Sequence, residues 1–308
     1  MPTKGNIMRQ YMGYIAAYSW CFITAFSMLL TSEVSQRLSP FIVCFFTFAL
    51  TTVVFLSYNI RNIGTLWRRI QEKCVIGPVL GINVSSFVSW GLLIYPLTYL
   101  QPTLVATLTL GINPIATAVI SRLFLKQLFP VKLLGTSLAL FLIIVFLSIR
   151  AWYGEGIISG TPHLQIVLSL LCCYLSGIAT SVNNILTKKI MANGFGIVDV
   201  MCLRFYFTII ISGIVGFSTH KVVLNQDLAL SILQTTLVFV IIPLVLIQLA
   251  LKSLDPLRVA IISPLMPVLV VLLQLYGNTS ILSEATISAT MITWLLVSLG
   301  TYWAMKKV

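Results

Sequence analysis

Charge is what this chain lacks. Only 8% of its 308 residues are charged, with seven Asp or Glu and two His. Soluble domains carry about 25% charged residues, because something polar must face water. Here 58% of residues are apolar and the mean hydropathy is +1.03. The solvent for such a surface must be lipid. That excludes a soluble enzyme, a disordered tail and a nucleic-acid binder, although the net charge is +12 and the pI about 9.6, a balance that often accompanies nucleic-acid binding. Acid–base and metal constellations are missing too. His163 and His220 stand alone, with no HExxH and no paired acidic motif. A polytopic membrane enzyme acting on lipid-linked substrates therefore has little to work with. The six cysteines show no CxxC spacing, so free thiols are expected and neither metal, disulfide nor cofactor is. The acidic residues Glu33, Glu72, Glu155, Asp199, Asp227, Asp255 and Glu284 all fall at helix ends or in loops. Proton-coupled export of a cation usually needs a carboxylate at mid-span, which leaves Glu33 only as a reserve candidate.

What is present is a series of long apolar runs. A spanning helix needs roughly 20 mostly apolar residues, because the hydrocarbon core is about 30 Å thick and each residue rises about 1.5 Å. Ten such spans are expected: 10–31, 40–58, 74–95, 102–121, 132–149, 164–186, 199–218, 228–251, 257–276 and 286–305. No charge falls between Lys73 and Arg122, yet Tyr95-Pro96 and Gln101-Pro102 divide that run into two helices. Runs such as Phe141-Leu142-Ile143-Ile144-Val145-Phe146-Leu147 are apolar on every face, unlike the alternating strands of a lipid-facing barrel. With the N-terminus inside, fifteen of the nineteen Lys and Arg fall on the inner side. The outer loops hold Arg37, Arg150 and Lys221, and Arg204 lies within a span. Such a bias sets orientation, placing both termini in the cytoplasm. The first apolar run has no small-residue cleavage site after it, so it is expected to remain as a helix.

The chain also repeats itself. Leu97-Thr98-Tyr99-Leu100-Gln101-Pro102-Thr103-Leu104-Val105-Ala106 aligns with Leu251-Lys252-Ser253-Leu254-Asp255-Pro256-Leu257-Arg258-Val259-Ala260, with five of ten positions identical. A second proline follows in each, in Asn113-Pro114-Ile115 and Met266-Pro267-Val268. Residues 1–150 and 151–308 would then each hold five spans. An odd number inverts the second half, the inverted-repeat arrangement common in secondary transporters, whose substrate sites lie near the midplane between the halves. These features resemble the drug/metabolite transporter superfamily, EamA type, over nearly the whole chain. Asp199-Val200-Met201-Cys202-Leu203-Arg204-Phe205 is similar to that family's arginine-bearing helix at the start of the second half. Two departures stand out. Lys126-Gln127 and Thr279-Ser280 replace the glutamates often found at the ends of spans 4 and 9, and Phe46 stands where span 2 would match Arg204. The resemblance implies an integral membrane transporter of a bacterial inner membrane. It names no cargo, since the family's cargoes run from amino acids to drugs.

Polar residues are costly in lipid, so they face the bundle interior or a water-filled cavity. Span 1 carries Gly13, Ala17, Trp20, Thr24, Ser27 and Thr31 on one stripe, and span 6 carries Ser169, Cys173, Ser176, Thr180, Asn183 and Thr187 on another. Asn83, Ser86 and Trp90 share a face of span 3. Asn113 stands beside Pro114 in span 4, Gln248 lies in span 8, and Ser263, Pro267 and Gln274 lie in span 9. Packing between close helices would account for many of the small hydroxylated residues, and for the Gly77-xxx-Gly81 pattern. The amides and the mid-span Trp20 and Trp90 divide between core filling and pocket wall. Arg204 could snorkel, pair with Asp199 or meet an anionic substrate group. Pro114 and Pro267 break a backbone hydrogen bond each and are expected to act as hinges. The expectation is an all-α membrane protein, monomeric or homodimeric. It would move a small polar, neutral or zwitterionic metabolite by alternating access, with a lipid flippase as the alternative.

Overall fold

The computed structural model describes residues 4–125, 131–219, 226–277 and 284–305. Lys126, Gln127, His220, Lys221, Thr279, Ser280, Lys306 and Lys307 lie outside them. Apart from one isolated bridge, Leu100 to Ile157, the regular structure of the described residues is helical. The helices are α1 (Lys4–Arg37), α2 (Pro40–Tyr58), α3 (Ile63–Glu72), α4 (Ile76–Ile94), α5 (Pro102–Leu125), α6 (Val131–Trp152) and α7 (His163–Ala192). They continue as α8 (Ile197–Leu203), α9 (Tyr206–Thr219), α10 (Gln226–Gln234), α11 (Ile242–Ser253), α12 (Pro256–Ile262), α13 (Leu265–Gly277) and α14 (Glu284–Met305). Pro40, Pro102 and Pro256 each open a helix, where a missing N–H costs nothing. Among the described residues, nine helical stretches are long and apolar enough to cross a membrane. The last helix contributes a shorter apolar stretch, Glu284–Gly300. Leu142, Phe146, Ile214, Leu272 and Tyr276 are among the large apolar side chains left exposed, as a lipid-facing surface requires.

Three expected spans are interrupted. The seventh breaks at Arg204-Phe205, between α8 and α9. The eighth widens into a π-helical stretch at Thr235–Ile241 between α10 and α11. Pro243, one residue into α11, has no N–H to close the preceding turn, which accounts for the wider spacing. The ninth breaks between α12 and α13 at Ser263-Pro264. Pro267 is not at that interruption. It sits in the first turn of α13, where a proline is tolerated, while Pro114 lies inside a continuous α5. The interruption in span 9 thus falls at Pro264, three residues before the expected hinge residue Pro267. One helix was absent from the sequence reading. α3 is a short amphipathic helix with Leu66 and Ile70 buried and Trp67 and Arg68 facing outward.

The packing partners come in matched sets. α1 packs on α11 as α7 packs on α4, and α1 on α13 as α7 on α5. α2 packs on α9 and α6 on α14. The contact of α7 with α5 is close: a Cβ on Gly177 would lie 2.2 Å from Ile112 Cγ2 and 2.3 Å from the Thr109 carbonyl oxygen. Of the expected small-residue pair in span 3, Gly81 packs on Leu186 and Gly77 faces open space.

Candidate functional site

A hollow of about 730 Å³, including the space at its mouth, opens in the middle of the bundle. It takes its walls from α1, α4, α5, α7, α11 and α13, and Arg204 from the break between α8 and α9. Of the residues expected from sequence, Trp20, Thr24, Trp90, Thr180, Asn183, Arg204 and Gln248 line it. The remaining wall is mostly apolar and includes Met28, Leu93, Leu110, Leu244, Ile247 and Met266. A second hollow of about 480 Å³ shares Thr24, Met28, Trp90 and Leu93 with the first. It runs past Thr31 and Leu97 to Thr235 at the π-helical stretch, away from the Lys/Arg-rich end of the bundle.

Among the described residues Arg204 is the only cationic one lining the main hollow, and it is 4% exposed. Its Nη2 donates to Asn183 Oδ1 at 2.7 Å and its Nε to Ser86 Oγ at 3.3 Å. Asn183 Nδ2 in turn donates to Ser86 Oγ at 2.7 Å and Ser85 Oγ at 3.3 Å. The guanidinium carbon also lies 4.9 Å from the centre of the Phe205 ring. Every one of these partners is neutral, and Nη1 has no partner at all. The expected alternative of pairing with Asp199 does not hold. Asp199 accepts from Arg69 Nη1 at 3.2 Å, from Asn59 Nδ2 at 3.2 Å and from the Gly196 N–H at 2.9 Å. Snorkelling is excluded by the burial. Gln248 Oε1 and Thr24 Oγ1, both in the wall of the same hollow, are also buried without a hydrogen-bond partner.

Four expected site residues lie elsewhere, and two of them stand at helix breaks. Asn83 Nδ2 donates to the Leu203 carbonyl at 2.5 Å, and its Oδ1 accepts from the Tyr206 N–H at 3.0 Å. One side-chain amide thus replaces the backbone bonds lost on either side of Arg204. Asn113 lies beside the other break, where it bonds side chains and not backbone, donating to Ser263 Oγ at 3.3 Å and accepting from Ser181 Oγ at 2.7 Å. Ser86 stands behind Asn183 and Arg204 rather than in the wall. Gln274 is tied to Thr103. The reserve candidate Glu33 is exposed and lines neither hollow.

The Lys/Arg-rich end is closed by polar contacts. Arg69 of α3 reaches Asp199 of α8, donates to the Gly194 carbonyl at 2.7 Å, and lies over Phe195. Lys188 Nζ donates to the carbonyls of Leu251 at 2.6 Å and Leu254 at 2.9 Å. At the opposite end Gln101 N–H donates to Gly156 O at 2.9 Å and Ile158 N–H to Tyr99 O at 3.0 Å, and Arg150 pairs with Glu155.

The apolar wall and the helix breaks are what sequence reasoning missed. Met28 lay one position beyond Ser27 of the span 1 stripe, and Pro243 was a signal for the irregular turn in span 8. No family profile and no curated protein matches the chain. A solved structure described only as a crystal structure of a protein superposes with a TM-score of 0.67 at 17% identity, over 97% of this chain and 99% of its own. At that identity the likeness is one of fold. The class defined by fold and site is thus a multi-pass helical membrane protein with a polar-floored hollow at its centre.

Proposed function

We propose that the chain is a secondary transporter of a small polar, neutral or zwitterionic metabolite, working by alternating access between two inverted five-helix repeats, 1–150 and 151–308. α14 is the tenth span in this reading, both termini are cytoplasmic, and the host is a bacterial inner membrane. The observation that carries the proposal is the central hollow, lined from both halves and floored by a broken helix. Discontinuous helices at mid-membrane are how many transporters expose backbone and charge to cargo. The matched packing partners support the repeat, because exchanging the halves maps α1–α11 onto α7–α4 and α1–α13 onto α7–α5. The resemblance to the EamA-type drug/metabolite transporters agrees with this reading. In this reading the contacts of Arg69, Asp199 and Lys188 lie at the cytoplasmic end, and the second hollow lies on the outer side of the first.

The test is counterflow in proteoliposomes containing only this protein, with amino acids, nucleosides, sugars and quaternary amines as trial cargoes. Accumulation should be saturable for one class and should fall in a Trp90→Ala variant that still reaches the membrane. Failure of every class to move, with intact folded protein in the vesicles, refutes the proposal.

A further inference from the structure

We infer that the cargo bears a single negative charge, carried by a carboxylate on an apolar body, and that the Arg204 guanidinium is its receptor. This rests on the transporter reading of the central hollow and revises its cargo, from a neutral or zwitterionic metabolite to a monoanionic one. Arg204 is 96% buried by its 4% exposure, and among the described residues no carboxylate pairs with it. Asn183 and Ser86 orient its fork but leave its charge uncompensated. Breaking a buried ion pair costs several kcal/mol because it strands a charge. A protein that keeps a cation stranded at the floor of an open cavity leaves that compensation to whatever enters. Arg204 lines the hollow, and among the described residues its buried Nη1 has no hydrogen-bond partner, so the guanidinium keeps donors unused.

The charge and shape of the hollow select among anions. Among the described residues no second Lys, Arg or His lines it, so a phosphate dianion would leave one negative charge unmatched. A carboxylate balances the site one to one and matches the planar guanidinium. Trp20, Trp90, Met28, Leu93 and Leu244 offer apolar surface, which a bare inorganic anion would leave unused. The combination calls for an amphipathic carboxylate.

A matched probe series decides the point: phenylacetate, its neutral isostere phenylacetamide and the cation phenethylamine, titrated onto the purified full chain in chloride-free micelles. Phenylacetate should bind at least about tenfold more tightly than phenylacetamide, a difference of about 1.4 kcal/mol. The preference should disappear in Arg204→Gln, whereas phenylacetamide binding should not change. If that variant fails to fold, the wild-type series alone still decides. Equal binding of phenylacetate and phenylacetamide overturns the inference, as does a preference for phenethylamine. Thermal stabilisation by chloride or acetate equal to that by phenylacetate also overturns it, by assigning Arg204 to an anion with no apolar body. Each of these results leaves the transporter reading intact if counterflow of any metabolite persists; loss of all counterflow refutes that reading instead.

Discussion

Removing the Asn83 side chain tests how the broken seventh span is held. The break at Arg204-Phe205 has no proline or glycine to explain it, so something must satisfy the backbone groups it frees. Asn83 meets the Leu203 carbonyl at 2.5 Å and the Tyr206 N–H at 3.0 Å, and is itself 4% exposed. Asn83→Ala would strand both groups away from water. Each unsatisfied buried polar group costs about 1–3 kcal/mol, while hydrogen bonds between membrane helices average nearer 0.6 kcal/mol, because the unfolded state in lipid also finds partners. Two stranded groups at about 1 kcal/mol each, the low end of the first range, give a loss of about 2 kcal/mol. Reversible unfolding in mixed micelles measures it, with Leu80→Ala on the exposed face of the same helix as the control, expected within about 0.5 kcal/mol of wild type. Arg204 should also lose its position, so cargo affinity should fall with stability. If Asn83→Ala unfolds like the Leu80→Ala control, the helix break is intrinsic to the chain and the brace is incidental.

Two further predictions concern packing and closure. Gly177→Ala places a methyl 2.2 Å from Ile112 Cγ2 and 2.3 Å from the Thr109 carbonyl. The backbone oxygen cannot rotate away, so a loss of about 1–3 kcal/mol is expected, and unchanged unfolding would mean that α5 and α7 are not in this contact. Arg69→Ala removes a half-exposed ion pair to Asp199, worth about 1 kcal/mol after solvent screening, which corresponds to roughly a fivefold shift toward conformers open at the Lys/Arg-rich end. Cys202 is buried there beside Asn59 and donates to the Phe55 carbonyl. Its alkylation rate, resolved from that of exposed Cys74 by mass spectrometry, should rise by a similar factor, and an unchanged rate would show that Arg69 does not hold the end closed.

Much of the frame could be read from residue order because lipid enforces it. Backbone groups in hydrocarbon must be paired within the helix, so apolar runs of sufficient length translate directly into helices such as Pro40–Tyr58 and Pro102–Leu125. The polar stripes were legible for the same reason: Trp20 and Thr24 on α1, and Asn183 on α7, do face the central hollow. Its apolar wall was not. Met28, Leu93 and Leu244 are chemically indistinguishable from the leucines that face lipid, and only their tertiary neighbours separate the two roles. α3 escaped because its charges resemble a loop, although Leu66 and Ile70 recur at helical spacing and are buried.

The amides show where residue chemistry stops determining role. An Asn in a membrane span must find partners, and cargo, backbone and another side chain satisfy it equally well. Asn183 takes Arg204 and the span 3 serines; Asn83 takes the backbone at one helix break; Asn113 takes Ser181 and Ser263 at the other. One of the three, Asn83, therefore bonds the irregular backbone itself, while Asn113 meets a side chain beside the other break. That irregularity, at Arg204-Phe205 and Ser263-Pro264, could not be foreseen locally, because Asn83 lies 120 positions from Leu203 and Asn113 lies 150 from Ser263. Arg204 differs from all of them in kind. A neutral amide is satisfied by neutral partners, but they leave the charge of a buried guanidinium uncompensated, and Arg204, lining the hollow with Nη1 unpartnered among the described residues, is what points from the fold to the charge of the cargo.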